Sequence, residues 1–409
     1  MAFAVACCTP EVHAISLSLG DAEHIALQND PSLLMVEARR EALEEQAVAA
    51  GQLPDPMLKM GVGGLPTDTF NLGQEAMTQV LLGVVQQFPR GRTRALRAEQ
   101  FSKRSEGLGA MRRDTRLQIL RSVREHYLEV LKQVRLAEIN NEAITVFTDL
   151  ADITHDYYAT GRVQQQDVLR ASVELARVQD RGTRISQQED QARAALAAWI
   201  GEAAYRELDS AWPNTMPAWS ATEILSALPG HPRLQALQQN VDAAETGVEL
   251  AREKFKPGFS VDLTYGGRGG RNPDGSSRPD LLSMMVMMDV PLFTGKRQDR
   301  LLAASVAESS AAAFQRDDVY RQMRSEVETQ AAVLRRERER IELFERVLLP
   351  EAEFNADATF EAYQAAVEDL TTLMRARITE YELELDYARL QADMRKTLAR
   401  LRYLAGEER

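Results

Sequence analysis

The chain has 409 residues, of which 44% are hydrophobic and only 6% aromatic, and its formal net charge is −12. This length exceeds that of one ordinary compact domain, and a composition rich in Ala, Leu, Glu, Arg and Gln favours long solvated helices. The negative charge disfavours binding to nucleic acid, whose backbone is also negative. No run of about 18 apolar residues occurs, which excludes a transmembrane helix and leaves only strands to cross a membrane.

The first 14 residues, M-A-F-A-V-A-C-C-T-P-E-V-H-A, have the features of a signal peptide that lacks its beginning. A short apolar run precedes a polar segment in which Val12 and Ala14 occupy the −3 and −1 positions of a cleavage site. The missing basic region predicts that this start lies downstream of the true one. Two alternatives stay open: an irregular N-terminal tail, or a weak lipidation motif, A-V-A-C, with Cys7 as the acylated residue. Both cysteines lie in this segment, so cleavage after Ala14 leaves no thiol for a disulfide or a metal site.

The rest of the chain contains the same unit twice. The residue types that recur after 201 positions are Ala26, Leu27, Pro31, Leu33, Ala42, Glu44, Ala50 and Pro56. From Tyr158 onward the shift is 205 positions, and Tyr363 is the match of Tyr158. Such self-similarity indicates a duplicated structural unit, and we assign residues 15–210 to the first repeat and 211–409 to the second. The change of shift predicts four extra residues in the second repeat, most economically in its Gly-rich loop.

Each repeat has the pattern of a helix, two strands, a very long helix, a break and a further helix. Alternation of apolar residues with small or polar ones predicts strands at about 57–65, 78–88, 258–266 and 281–292. One apolar and one polar face is typical of a transmembrane barrel strand, although a soluble hairpin packed on a helix has the same pattern. If the apolar face contacts lipid, then Lys59, Asp262 and Asp289 face the lumen.

Four strands are too few to close a barrel around a lumen, so several chains must contribute, and three chains give twelve strands. Unpaired strand edges cannot face lipid, which makes the oligomer obligatory if the strands cross a membrane.

The long helices carry apolar residues at three- and four-residue spacing, from Leu120 to Ala137 and from Val327 to Leu348. This spacing is typical of a coiled coil, and an isolated coiled coil explains it equally well. Pro350 removes one backbone donor from the second long helix and should bend it.

These features together resemble the TolC family of outer-membrane efflux channels, over essentially the whole mature chain. The segments that carry the resemblance are S-L-G-D-A-E-H-I-A-L-Q-N-D-P-S-L near the start, Q-Q-F-P-R-G-R and V-P-L-F-T-G-K-R after the second strand of each hairpin, L-L-P-E-A-E in the second long helix, and Y-A-T-G-R-V-Q-Q-Q-D-V-L at the first break. Each motif is weak by itself, and the set is specific.

The resemblance implies a mainly α-helical fold with a membrane β-barrel. Three copies would form a homotrimeric, 12-stranded barrel that continues into a long periplasmic α-helical barrel. The implied function is a passive outer-membrane conduit of a tripartite efflux system in a Gram-negative bacterium, for small molecules or metal ions, and the overall look is closer to the heavy-metal branch. The implied partners are a periplasmic adaptor protein, an inner-membrane pump of the RND type and outer-membrane lipid.

In this family the two breaks, at about 158–166 and 363–371, are turns at the periplasmic tip, where the adaptor binds. The residues that the resemblance assigns to the turns and the adaptor contact are Tyr158, Gly161, Arg162, Val163, Tyr363, Ala366 and Val367. Gly161 suits such a turn because glycine adopts positive φ without penalty. The second repeat departs from the pattern, since alanine replaces the glycine at position 366, and the departure bears on the turn geometry or the adaptor contact there.

The family lines a constriction at this tip with acidic residues. By position Asp167 carries over in the first repeat, whereas the second repeat has Thr372 and Arg375 at the corresponding positions. Glu368 and Asp369 lie nearby and are candidates for the same role. The alternative for each carboxylate is a solvated residue that stabilises the start of a helix. We expect Arg375, and Arg162 in the first turn, to pair with these acids between chains and to hold the tip closed.

Sequence motifs of catalysis do not occur: there is no phosphate-binding glycine loop before a helix, no nucleophile elbow and no H-E-x-x-H. We therefore expect no enzyme activity, no cofactor and no resident metal. Two function classes remain. One is a passive trimeric conduit, and the other is a soluble or peripheral coiled-coil scaffold whose hairpins are only structural.

Overall fold

The computed structural model describes residues 16–28, 30–209, 211–213 and 220–407. The predicted signal peptide at 1–14 and the predicted lipidation site at Cys7 lie outside these residues.

Helices dominate the described residues, and four strands interrupt them. The helices are α1 (Leu19–Leu27), α2 (Pro31–Ala50), α3 (Thr93–Ala159), α4 (Gln165–Ile200), α5 (Ala221–Ala227), α6 (Pro232–Glu253), α7 (Gln298–Leu343), α8 (Leu349–Gln364) and α9 (Leu370–Ala405). The strands are β1 (Met57–Gly63), β2 (Gln79–Phe88), β3 (Gly258–Gly267) and β4 (Leu281–Asp289). The predicted mainly α-helical fold with two hairpins is confirmed.

The chain divides into two compact units. The helical unit comprises Met1–Leu33, Arg113–His231 and Arg321–Arg409, and the sheet unit comprises Leu34–Arg112 and Pro232–Tyr320. Each unit combines segments of both predicted repeats, so the units do not coincide with the repeats.

All four strands of the sheet unit form one antiparallel sheet in the order β1-β2-β3-β4. The two hairpins join through β2 and β3, where Val84 pairs with Leu263. On β3 the apolar side chains of Leu263 and Tyr265 are each 48% exposed, whereas Asp262 and Thr264 on the opposite face are each 7% exposed. The alternation of residue types in the sequence is thus an alternation of faces in the sheet.

The strands begin within one residue of their predicted positions, and β4 ends earlier than expected. It stops at Asp289 rather than near residue 292. Pro291 lies just beyond this end and has no N–H to donate to a neighbouring strand.

The four extra residues of the second repeat do not lie in the Gly-rich loop. That loop, 268–280, has 13 residues and is shorter than its counterpart, 64–78, which has 15. The connection from β4 to α7, 290–297, has eight residues, whereas the connection from β2 to α3, 89–92, has four. The predicted placement is therefore wrong, and the segment V-P-L-F-T-G-K-R contains the insertion.

Two apolar clusters hold the helical unit together. The first joins α1, α3 and α4 and includes Ala26, Tyr127 and Leu196. The Tyr127 hydroxyl donates a hydrogen bond to the Leu17 carbonyl oxygen at 3.0 Å. The second joins α3, α4, α8 and α9 around Phe147 and other buried side chains. Because this second cluster contacts all four helices that lead into the predicted tip turns, it fixes where those turns lie within the unit.

A π turn interrupts the second long helix near Pro350, where the sequence predicts a bend. A π turn covers Phe344–Leu348 between α7 and α8, and Pro350 lies in the first turn of α8. Proline has no N–H to donate, and its ring clashes with the carbonyl four residues earlier in a regular α-helix. The π turn changes the hydrogen-bond pattern of the preceding residues, so proline is tolerated at this position. Phe344 is buried and stacks on Tyr387, with ring centroids 6.1 Å apart.

Helices long and apolar enough to span a membrane are not found in the part of the chain that the structure describes.

Candidate functional site

The two predicted tip turns have the same backbone hydrogen bonds. After α3, the Arg162 N–H donates to the Tyr157 carbonyl at 2.8 Å and the Gly161 N–H donates to the Tyr158 carbonyl at 2.9 Å. After α8, the equivalent bonds run from Val367 to Ala362 at 2.9 Å and from Ala366 to Tyr363 at 3.0 Å. This pair of bonds is the Schellman motif, which ends a helix by reversing the chain at a left-handed residue.

Gly161 and Ala366 are the left-handed residues of these motifs. Their φ angles are 71° and 58°, respectively. The second turn therefore keeps the geometry of the first although it lacks the glycine. An alanine in this conformation stores about 1 to 2 kcal/mol of backbone strain, because its Cβ approaches the following carbonyl oxygen.

The carboxylates that the sequence assigns to a constriction stabilise helix starts in this chain. Asp167 accepts the backbone N–H of Gln164 at 3.1 Å at the start of α4. In the second turn the aspartate occupies the N-cap position instead of the third helical position. Asp369 is the N-cap of α9, and its side chain accepts the Thr372 N–H at 2.8 Å. Hydrogen bonds from the Thr372 backbone and side chain lower the pKa of Asp369. The helix-start alternative thus describes both residues within one chain.

The other residues predicted to close the tip do not meet these acids within the described residues. Glu368 and Arg375 are exposed, and the Arg162 guanidinium lies 5.3 Å from the centre of the Tyr157 ring. No ion pair joins either arginine to Asp167, Glu368 or Asp369 within the described part of the chain. The interchain pairing predicted from sequence therefore stays a prediction.

The two turns contact each other through Tyr363 and three residues that the sequence analysis did not assign to the turns, Tyr157, Arg170 and Thr371. Arg170 donates a hydrogen bond to the Thr371 hydroxyl, and the rings of Tyr157 and Tyr363 lie 5.8 Å apart. Tyr363 is only 5% exposed, so its role within the chain is to pack the turn rather than to present a surface. Its counterpart Tyr158 is 46% exposed. The internal repeat could have drawn attention to Thr371 as a turn residue. With the shift of 205 positions, Thr371 corresponds to Gln166, which is next to Asp167.

Exposed apolar side chains surround the turns. Val367 is 77% exposed, and Leu169 and Val173 on α4 are 60% and 51% exposed. Val163 is partly exposed. Exposed apolar side chains at a helix end in water are candidates for a protein interaction surface.

A polar cluster occupies the sheltered face of the sheet. The Lys59 Nζ on β1 lies 2.9 Å from the Asp262 Oδ2 on β3, and the Thr264 hydroxyl donates to the other Asp262 oxygen at 2.5 Å. The lysine reaches across β2 at Gly83, which pairs with both Lys59 and Thr264 in the sheet. A Cβ at Gly83 would lie 2.5 Å from the Thr264 Oγ1, so the crossing needs glycine.

Asp289 lies at the end of the sheet and makes different contacts. Its carboxylate accepts hydrogen bonds from the Arg90 guanidinium and, at 2.7 Å, from the Gly258 N–H. Arg90 also donates to the Lys254 carbonyl at 2.7 Å. Asp289 therefore ties β4 to the turn between β2 and α3. The structure brings Lys59 and Asp262 together and places Asp289 elsewhere on the sheet.

A metal centre is not indicated by these contacts. No group of three or more His, Cys, Asp and Glu side chains arranged to hold a metal ion occurs in the described ranges.

Comparisons with known proteins give one family and one fold. Residues 23–202 and 224–407 match the family described as "Outer membrane efflux protein". No curated protein matches the chain in sequence.

Several solved structures resemble the chain over nearly its whole length. The outer membrane protein VceC of Vibrio cholerae has a TM-score of 0.80 at 20% identity, over 95% of this chain and 96% of that chain. CusC has a TM-score of 0.78 at 14% identity, over 96% and 92% of the two chains. The MtrE outer membrane channel of Neisseria gonorrhoeae, in its open state, has a TM-score of 0.77 at 15% identity, over 95% and 88%. At these identities the likeness shows the fold.

Proposed function

Because the chain belongs to the outer membrane efflux protein family, we propose that it works as a homotrimeric, passive conduit through the outer membrane. It is an outer-membrane efflux channel of the tripartite systems of Gram-negative bacteria, which operate with a periplasmic adaptor and an inner-membrane pump. The family is one of channels rather than of enzymes. The finer proposals concern the oligomer, the lumen, the gate and the type of pump. The family resemblance supports a pump of the RND type.

The main observation that supports a trimer is that the sheet has two unpaired edge strands, β1 and β4. β1 and β4 each have a row of backbone N–H and C=O groups without a strand partner in the described residues. All nine residues of β4 are exposed, including Met284, Val286 and Met288. A long, apolar edge strand of this kind is an aggregation site unless another strand pairs with it. Pairing of β4 in one copy with β1 in the next satisfies both edges, and three copies supply 12 strands, enough to close around a lumen.

The two faces of the sheet support the same arrangement. The exposed face presents apolar side chains such as Leu82 and Leu263, as a surface against lipid requires. The sheltered face carries the Lys59 and Asp262 pair, which we place in the lumen together with Asp289. A soluble scaffold would expose this apolar face to water, whereas soluble proteins rarely expose large contiguous apolar surfaces. The sheet therefore disfavours the scaffold alternative.

We place the gate of the conduit at the tip turns. Three copies of Asp167, Glu368 and Asp369 around an axis bring up to nine carboxylates into a narrow aqueous constriction, which attracts cations and repels anions. Arg375 is exposed and has no acidic partner in its own chain within the described residues, so it is free to pair with these acids in a neighbouring copy. Exposed pairs contribute only about 0 to 1 kcal/mol each, so an adaptor that binds the turns can open the gate.

The exposed apolar side chains of Leu169, Val173 and Val367 are the residues that we propose as contacts for the adaptor. Tyr158, Gly161, Arg162 and Val163 lie in the same turn region and complete the contact surface. Tyr363 and Ala366 act within this proposal by holding the second turn in shape, because one is buried and the other sets the left-handed backbone.

Fractionation and mass measurement test the oligomer. The mature chain is expected in the outer-membrane fraction, and native mass spectrometry in detergent should give a mass of three chains. A chain that stays in the soluble fraction without detergent, or a stable monomer in detergent, would contradict the proposal.

Planar-bilayer conductance tests the gate. Neutralising Asp167, Glu368 and Asp369 together should lower the preference for cations, and Arg375→Glu should raise the conductance of the closed state. Asp386→Asn, a matched change at an exposed carboxylate of α9 outside the turn, should alter neither quantity. If the gate variants conduct like the wild type while the trimer persists, the constriction lies elsewhere.

A further inference from the structure

The connection from β4 to α7, residues 290–297, exposes bulky apolar side chains. Phe293 is 89% exposed, the largest exposed fraction among the large apolar side chains of the described residues, and Leu292 is 74% exposed. Val290, the first residue after β4, is 52% exposed, so the exposed apolar surface of β4 continues into this connection. The corresponding connection of the first repeat, 89–92, is four residues shorter and has the sequence P-R-G-R, without any such side chain.

Hydrogen bonds hold this connection in one shape. The Leu292 N–H donates to the Val290 carbonyl at 3.0 Å, and the Arg297 N–H donates to the Thr294 carbonyl at 2.9 Å. The Thr294 hydroxyl also donates to the Asp299 carboxylate of α7 at 3.3 Å. The exposed apolar side chains therefore project from a folded turn that is tied to the start of α7.

Cationic side chains follow the apolar ones directly. Lys296, Arg297 and Arg300 are exposed, and no ion pair to any of them is found in the part of the chain that the structure describes. Three basic residues and one acidic residue, Asp299, give residues 290–300 a formal charge of +2. The connection thus combines an apolar projection with unpaired positive charge.

This combination matches the chemistry of a phospholipid surface. Acyl chains surround apolar side chains, and aromatic residues are enriched at both interfaces of membrane barrels. Phosphate groups attract basic side chains, and the long stems of lysine and arginine extend from apolar surroundings towards them. A second copy of this chain is the competing occupant. It would have to supply acidic partners for the cations that it covers, since an unpaired charge is costly to bury.

We propose that residues 290–297 form a phospholipid-binding anchor in the membrane leaflet next to the periplasm. Leu292 and Phe293 insert between acyl chains, and Lys296 and Arg297 bind phosphate groups. The inference rests on the proposed placement of the sheet in the outer membrane. Because the first repeat lacks the four additional residues, each chain has one anchor of this kind, and a trimer has three.

Tryptophan quenching by brominated phospholipids tests the insertion of Phe293. The full-length protein is reconstituted in vesicles of phosphatidylcholine and phosphatidylglycerol, and the signal of the chain's three native tryptophans is subtracted. Phe293→Trp should be quenched most strongly by acyl chains that are brominated near the headgroup. Phe354→Trp, at a side chain of α8 that is 72% exposed, should not be quenched. Leu263→Trp, on the apolar face of β3, should be quenched and reports whether the sheet lies in the membrane.

These positions separate the anchor from the proposed function. Quenching at position 263 without quenching at position 293 would overturn the anchor while the sheet remains in the membrane. An absence of quenching at both positions would contradict the proposed function as well. Loss of the trimer in Phe293→Ser, together with an unquenched Phe293→Trp, would assign this surface to a second copy and overturn the anchor.

Lipid selectivity tests the two cations. In the Phe293→Trp background, brominated phosphatidylglycerol should quench more strongly than brominated phosphatidylcholine. Each basic residue near an anionic lipid surface favours binding by about fivefold, so Lys296→Gln combined with Arg297→Gln should reduce this preference about tenfold. Arg335→Gln combined with Arg338→Gln, at two exposed arginines further along α7, should leave it unchanged. An equal preference in the two double variants would overturn the assignment of phosphate binding to Lys296 and Arg297.

Discussion

Exchanging the residues at the two tip turns separates backbone conformation from side-chain contact. Gly161→Ala adds a Cβ where no heavy atom lies within 4 Å, so the new side chain meets nothing. The change then costs about 1 to 2 kcal/mol for the left-handed backbone, less about 0.4 to 1 kcal/mol because alanine has less freedom than glycine in the unfolded chain. Ala366→Gly reverses both contributions. We expect net effects of roughly 1 kcal/mol in opposite directions at the two turns.

Hydrogen exchange of two backbone amides measures these effects where they act. The Arg162 and Val367 N–H groups close the two Schellman motifs, at 2.8 and 2.9 Å from their acceptors. Since 1.4 kcal/mol is a tenfold change, Gly161→Ala should speed exchange at Arg162 about fivefold, and Ala366→Gly should slow exchange at Val367 by a similar factor. Gly109→Ala is the control, because its added Cβ also meets nothing but the backbone there is not left-handed. Unchanged exchange at Arg162 in Gly161→Ala would refute the backbone argument.

Two other substitutions address the sheet and the helical core. Gly83→Val should block the path of Lys59 to Asp262 and cost about 1 to 3 kcal/mol, seen as a lower yield of folded protein in refolding assays. Gly61→Val on β1 should fold normally, because its Cβ would meet no atom within 4 Å. Burial raises the pKa of Glu129, but hydrogen bonds from neighbouring lysines outweigh burial and lower it to about 2. Because the folded-state pKa is below the ordinary 4.5, the stability from Glu129 is present above pH 4.5 and is lost as the pH falls towards 2. Thermal midpoints across this range should fall more for the wild type than for Glu129→Gln, and parallel curves would contradict the assignment.

The hairpins and long helices could be predicted because their patterns are local. Alternation marks β1 to β4 within one residue at their starts, and the spacing of apolar residues marks the long helices. The location of the four extra residues could not be predicted in this way. A Gly-rich loop tolerates insertions well, so the sequence favours it, but the strand-to-helix connection V-P-L-F-T-G-K-R contains them.

Contacts between distant segments were the least predictable part of the candidate site. The pairing of Lys59 with Asp262 depends on the register of three strands and on the missing side chain of Gly83, neither of which is a property of the separate segments. The left-handed backbone at Ala366 has another cause. An alanine does not favour positive φ, so the residue type does not predict this conformation. The turn at Ala366 nevertheless has the same backbone hydrogen bonds as the turn at Gly161, and these bonds hold the left-handed backbone in place.

The aspartates at the starts of α4 and α9 occupy different capping positions, and this difference decides which gate variants are informative. Asp369 is an N-cap, and asparagine caps a helix about as well as aspartate, so Asp369→Asn removes a charge while keeping an acceptor for the Thr372 N–H. Asp167 is the third residue of α4, and its carboxylate accepts the Gln164 N–H. Asp167→Asn would therefore remove a negative charge that stabilises this helix start, in addition to any charge at the gate. We therefore expect Asp369→Asn to lower cation preference in bilayers with unchanged hydrogen exchange at Thr372. Unchanged selectivity together with unchanged exchange would show that Asp369 is a cap and has no part in the gate.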